Sequence, residues 1–115
     1  MVMKLMIVDD NTGMREMIRD VVCGENDTVL ECSDGTEAVT AYPQFHPDYV
    51  LMDIEMKQMD GFSATEKIYQ YDPQAKIIFI TSYNTSAFRA KAKILHAVGF
   101  VTKENLSELN QLLHQ

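Results

Sequence analysis

Hydrophobic residues in this chain fall into two alternating patterns. Short apolar runs occur at KLMIV (from Lys4), TVLEC (from Thr28), YVLMD (from Tyr49), KIIFIT (from Lys76) and FVT (from Phe100). Ile77 to Ile80 is apolar with no polar alternate, the pattern of a strand buried on both faces of a parallel sheet. Between the runs, apolar residues return at helical spacing. Met14, Met17, Ile18, Val21 and Val22 form a stripe on the first helical segment, and Ala38, Val39, Tyr42 and Phe45 on the second. Ala87, Ala90, Ile94 and Val98 do so on the fourth, and Leu106, Leu109, Leu112 and Leu113 on the last. These stripes read as core. The alternation predicts (βα)₅, a doubly wound parallel sheet with helices on both faces and right-handed crossovers.

Start signals fit those segments. Asp34 precedes Glu37 by three, Ser63 precedes Glu66 and Asn105 precedes Glu108, all in the manner of a capping box. The pairs Asp34–Gly35 and Asp60–Gly61 mark turns. With 115 residues and no repeat, linker or low-complexity segment, the reading is a single domain over residues 1–115 with one fold.

In sheets of this kind, ligands bind beyond the carboxyl ends of the strands. The residues that end the apolar runs therefore matter most: Asp9 and Asp10, Asp53, Thr81 and Ser82, and Lys103. Each alone has an ordinary explanation as a turn, a cap or a solvated charge. Their joint placement at successive strand ends is harder to explain that way. Adjacent carboxylates resist ionising together unless a cation or hydrogen bonds compensate. A third carboxylate from a neighbouring strand completes a hard oxygen site suited to Mg²⁺ (or Mn²⁺), and the cation would let Asp9 and Asp10 stay ionised side by side. A divalent cation beside a carboxylate, a hydroxyl and an ammonium is the equipment of phosphoryl transfer, with a carboxylate as nucleophile.

Composition narrows the partners. Hydrophobic residues make up 46% and charged residues 23%, as in ordinary globular domains. The net charge of −7 argues against direct nucleic-acid binding and suits a cation or a basic partner surface. The N-terminal MVMKLMIVDD is too short in its apolar part for a signal peptide, and IIFITSYNTSAF is too short and polar to span a membrane, so no membrane partner is expected. Cys23 and Cys32 have no metal-type or redox spacing and read as two free, buried thiols in a reducing compartment, which points to the cytoplasm.

Four motifs in order, IVDDN (Ile7 to Asn11), LMDIEMKQMDG (Leu51 to Gly61), ITS (Ile80 to Ser82) and GFVTK (Gly99 to Lys103), make the chain resemble the receiver domains of bacterial two-component response regulators over essentially its whole length. The resemblance implies a flavodoxin-like strand order 2-1-3-4-5. It implies that Asp53 accepts a phosphoryl group from a phosphohistidine on a sensor histidine kinase or phosphotransfer protein. Asp10, Asp53 and the backbone carbonyl of Glu55 then correspond to the Mg²⁺ ligands, with Asp9 acting through a bound water. Lys103 corresponds to the lysine that contacts the phosphoryl oxygens, and backbone N–H groups of Glu55 and Ser82 to the rest of the oxygen cradle. Thr81 and Phe100 correspond to the switch pair. A downstream effector or output domain would read a surface built from the fourth helix, fifth strand and fifth helix. Ala87, Ala90, Ile94 and Val98 would hold that helix to the core, and Arg89, Lys91 and Lys93 would offer charge.

Three positions depart from the family pattern. Lys57 follows Met56 and Glu104 follows Lys103 where proline is usual, and His96 stands where glycine is frequent. Without proline, the Lys103–Glu104 peptide is expected to be trans, since a non-proline cis bond costs about 2.5–4 kcal/mol. His46, His96 and His114 are scattered and read as surface or packing residues. HAVGF and LSELNQLL lack the charge pattern of the winged-helix regulators, which gives no support to their style of receiver dimer.

Two other readings use similar parts. A haloacid-dehalogenase-type phosphohydrolase also employs Asp, Thr, Lys and Mg²⁺, but it wants an Asp-x-Asp pair and a substrate-covering cap. Here Asp9 and Asp10 are adjacent and no residues remain for a cap. A phosphorylation-independent interaction domain would have little use for so complete an acidic site. The leading reading is a signalling phospho-acceptor rather than an enzyme acting on other molecules.

Overall fold

The computed structural model describes residues 2–114. Strands β1 (Lys4–Val8), β2 (Thr28–Cys32), β3 (Tyr49–Asp53), β4 (Ile77–Thr81) and β5 (Gly99–Thr102) form one all-parallel sheet in the order β2-β1-β3-β4-β5. Between and after them run α1 (Thr12–Val22), α2 (Gly35–Phe45), α3 (Gly61–Tyr71), α4 (Ser86–Ile94) and α5 (Glu108–Leu113), the last preceded by a short 3₁₀ turn, Lys103–Asn105.

The unbroken apolar runs are explained by a core on each side of the sheet. Met6, Val8, Val50, Met52, Ile77 and Phe79 face one side, with Ala38, Tyr42, Phe62, Ile68 and Ala92 from α2, α3 and α4. Leu5, Ile7, Leu51, Ile78, Ile80 and Val101 face the other, with Ile18, Val22, Leu109 and Leu113 from α1 and α5. Successive residues of a strand point to opposite faces, so a doubly covered strand must be apolar at every position.

Several helix expectations need correction. Asp34 caps α2, its side chain accepting from the Glu37 N–H, as the spacing indicates. Asp60, not Ser63, caps α3, and its carboxylate accepts from the Ser63 N–H. Asn105 caps nothing, because it ends the 3₁₀ turn and α5 begins at Glu108. On α1, Met17 is exposed, and the buried stripe narrows to Ile18 and Val22. Cys32 is buried, whereas Cys23 is only partly covered.

The largest correction is on α4. Ala87, Ala90 and Ile94 face solvent, the helix ends at Ile94 so that exposed Val98 lies beyond it, and Phe88, Ala92 and Leu95 pack against the core instead. Both sets follow a helical spacing. Phe88, Ala92 and Leu95 carry more apolar surface than Ala87, Ala90 and Ile94, so burying them removes more from water, and Phe88 meets Phe62 edge to face with ring centroids 5.6 Å apart.

Candidate phosphoryl-transfer site

Strand register aligns the site before any side chain is considered. Val8 pairs with Met52, Asp53 with Ile80, and Thr81 with Thr102. Asp9 therefore emerges level with Asp53, and Lys103 one residue beyond the level of Thr81, all at the carboxyl edge of the sheet.

Ligand oxygens of Asp9, Asp10 and Asp53 lie within 4.8 Å of one another. Asp9 and Asp53 are buried, at 1% and 3% exposure, while Asp10 is exposed. The Lys103 ammonium stands between the two buried carboxylates, 3.0 Å from Asp9 Oδ2 and 3.4 Å from Asp53 Oδ1. Among the described residues, three carboxylates face one ammonium and Asp9 Oδ2 has no other partner. Buried charge of this sign, left uncompensated, is costly. An all-oxygen donor set with excess negative charge fits a hard divalent cation.

The electrostatics follow. Burial raises the Asp53 carboxyl from 3.8 to about 6; the charge of Asp9 pushes the same way and Lys103 opposes it. Burial works to lower the Lys103 ammonium, but its hydrogen bond to Asp9 and the charges of Asp53 and Asp9 outweigh that and raise it. Lys103 thus stays protonated at neutral pH, poised to meet anionic oxygen.

The loops are held from below. Gly61 donates its N–H to the Ile54 carbonyl at 2.8 Å, and a Cβ there would collide with the Asp53 carbonyl oxygen. Glycine is what lets α3 start directly beneath the acidic pocket. Thr81 is buried, and its hydroxyl oxygen accepts from the Tyr83 N–H at 3.0 Å, leaving its own proton free to donate. Ser82 and Glu55 are exposed on the loops that flank the pocket, after β4 and β3. Phe100 is half-buried on β5, level with Phe79, with the Arg89 guanidinium over its ring. The Lys103–Glu104 peptide is trans. His96 has φ 58°, the left-handed conformation, which accounts for glycine being frequent at that position.

Arg15 escaped the sequence reading. Its guanidinium donates to the Asp9 carbonyl at 2.6 Å and to Glu31 at 3.0 Å, tying the loop that carries Asp9 and Asp10 to β2. The available signal was electrostatic: a cation in the first turn of α1 opposes the helix dipole and needs a local reason to be there. His46 and His114 sit at the C-terminal caps of α2 and α5 rather than at these strand ends.

Residues 5–114 match the family described as the response regulator receiver domain. The chain is 37% identical to the chemotaxis protein CheY of Halobacterium salinarum over 103 residues, covering 90% of this chain and 86% of that protein. It is 37% identical to CheY of Bacillus subtilis over 101 residues, covering 87% and 84%. Among solved structures, a LuxR-family response regulator from Aurantimonas superposes with a TM-score of 0.89 at 35% identity, covering 96% of this chain and 81% of that one. A Borrelia burgdorferi CheY, crystallised with CheX, beryllofluoride and Mg²⁺, superposes with a TM-score of 0.88 at 25% identity, covering 96% and 86%. The chain belongs to the response regulator receiver family. It is a CheY-like signalling receiver of flavodoxin-like fold, and the hydrolase alternative is not supported. No helix among the described residues is long and apolar enough to cross a membrane.

Proposed function

We propose that Asp53 is the phospho-acceptor of this receiver and that Mg²⁺ is its cation. The observation that carries the reading is the pair of buried carboxylates, Asp9 and Asp53, flanking the Lys103 ammonium at 3.0 and 3.4 Å. In the reaction, a carboxylate oxygen of Asp53 attacks the phosphorus of a phosphohistidine on a sensor kinase or phosphotransfer protein. The P–N bond breaks, its electron pair leaves with the imidazole, and an aspartyl phosphate forms. Lys103 takes a phosphoryl oxygen as a charge-assisted partner. The Thr81 hydroxyl, whose proton is free, turns toward another, and the backbone N–H groups of Glu55 and Ser82 complete the cradle. Asp10, Asp53 and the Glu55 carbonyl would hold the cation, with Asp9 reaching it through water, and the cation would neutralise charge on the transferring oxygens.

Asp53 held near a pKa of 6 is a poor nucleophile when protonated. A divalent cation beside it favours the ionised form, so metal binding would keep the nucleophile ready at lower pH. The signal would then pass from Thr81 through the Tyr83–Thr85 loop to Phe100, and a downstream effector or output domain would read the α4, β5 and α5 surface. Self-phosphorylation and self-dephosphorylation would be the only chemistry, carried out in the cytoplasm. Incubation with acetyl phosphate and Mg²⁺, followed by intact-mass spectrometry and peptide mapping, tests this. One phosphoryl adduct on Asp53 is expected, and sustained turnover of phosphate esters would refute it.

A further inference from the structure

The groups assigned to Glu55 are a backbone carbonyl and N–H, so their aim depends on the path of the loop that carries them. That loop, Ile54 to Asp60, contains no proline to fix a φ angle. Two glycines hold it instead. Gly61 donates to the Ile54 carbonyl at one end. Toward the other end Gly35, the buried first residue of α2, donates its N–H to the Gln58 carbonyl at 3.0 Å. The approach is closer than a side chain permits: a Cβ on Gly35 would collide with the Met59 carbonyl oxygen and stand 3.1 Å from Ala64 Cβ. The first obstacle is backbone, so a side chain at position 35 fits only if the loop or the start of α2 shifts.

Met59 bears strain at the same contact. Its φ is 62°, in the left-handed region. Among the described residues, the other non-glycine positions with positive φ are His46 and His96, which close α2 and α4, where a left-handed residue is common. Met59 closes no helix and lies just before Asp60, the N-cap of α3. Strain of this kind persists only where the surroundings over-determine it. Here they are the Gly35 bond to the adjoining Gln58 carbonyl and the Met59 side chain, which packs against the core.

We propose that Gly35 is a positioning residue for the phosphoryl-transfer site. With the left-handed Met59 it fixes the path of the β3–α3 loop and so the aim of the Glu55 carbonyl and N–H. Both residues act through Glu55, and neither is catalytic. The inference rests on the reading of Glu55 and the cation under Proposed function. It adds that α2, which supplies none of the groups assigned to the pocket, sets part of the pocket's geometry.

The test reads Mg²⁺ affinity by calorimetry and the amides of Glu55 to Met59 by ¹⁵N NMR in the metal-free chain. Gly35→Ala is expected to shift those amides and to weaken Mg²⁺ binding about tenfold, the scale usual for a group that orients a metal ligand. Ala38→Gly, a change in the body of α2, should lower the melting temperature and leave the affinity as it was. Two variants at Met59 serve if Gly35→Ala does not fold. Valine disfavours positive φ and glycine adopts it freely. Met59→Val should therefore weaken Mg²⁺ binding about tenfold, and Met59→Gly should keep it within about twofold. A role in packing alone would reverse that order, since glycine removes more of the side chain. A wild-type chain that binds no Mg²⁺ would refute the cation assignment and this inference with it. Normal binding by the wild type, with unchanged affinity in Gly35→Ala and Met59→Val or the larger loss in Met59→Gly, would overturn this inference alone.

Discussion

The Arg89 guanidinium lies over the Phe100 ring, 4.6 Å from its centroid, and its Nε donates to the Asn84 side-chain carbonyl. Asn84 belongs to the loop that follows Thr81, so one side chain links the loop beside the acidic pocket to the aromatic on β5. A cation over an exposed ring contributes about 0.5–1 kcal/mol. Removing it should loosen Phe100 without unfolding the chain.

Arg89→Ala is accordingly expected to broaden or shift the Phe100 ring resonances in the unphosphorylated state. It should also raise the population of the alternative ring position about two- to fivefold. Aromatic NMR spectra with and without beryllofluoride measure this. Spectra identical to wild type in both states would show that Arg89 does not restrain the ring.

Asp53→Asn keeps the shape of the side chain and removes both the nucleophile and one of three crowded charges. Phosphoryl uptake from acetyl phosphate should vanish while the circular dichroism spectrum is retained. Intact-mass spectrometry decides the point, since an adduct of undiminished yield would place the acceptor elsewhere.

Mg²⁺ should raise the melting temperature by mass action, contributing about 1.4 kcal/mol at ten times its dissociation constant. Asp10→Asn and Asp53→Asn should each lose most of that gain, because both carboxylates belong to the acidic trio. A melting temperature indifferent to millimolar Mg²⁺ in the wild-type chain would contradict the cation site.

The metal-free chain should also respond to pH in a defined direction. Burial, then the charge of Asp9, raises the folded Asp53 carboxyl from 3.8 to about 6, so it binds its proton more tightly than the unfolded chain does. Between about pH 4 and 6 the folded state therefore holds the extra proton, and stability falls as pH rises through that window, by about 3 kcal/mol in total from this group. Denaturant titrations in EDTA should show the loss in wild type and a flatter profile in Asp53→Asn. Saturating Mg²⁺ should recover stability above pH 6. Equal pH slopes in the two proteins would exclude Asp53 as the source.

Arg15→Met should loosen the loop carrying Asp9 and Asp10, since it deprives the Asp9 carbonyl and the Glu31 carboxylate of a shared donor. The loss of such charged hydrogen bonds costs about 1–3 kcal/mol. Weaker Mg²⁺ binding, measured by calorimetry, should accompany it. Restoration of the affinity by Arg15→Lys would show that charge alone suffices, and failure to restore it that the planar two-sided contact is required.

The sequence by itself determined the (βα)₅ order, the strand positions and the acidic trio. Those features are local: a strand covered on both faces must be apolar at every position, and Asp9, Asp10 and Asp53 end their runs in full view. Even the misread cap at Ser63 lay within one turn of Asp60, whose carboxylate holds the Ser63 N–H. Only the tertiary structure decided which of two apolar stripes on α4 is buried. Helical periodicity reports that a stripe exists, and when Ala87, Ala90 and Ile94 compete with Phe88, Ala92 and Leu95, the neighbours choose. Phe62 of α3 offers an aromatic surface that Phe88 fills and two alanines cannot. Arg15 was hidden for the same reason, because its partners, the Asp9 carbonyl and Glu31, come together only when β1 and β2 pair.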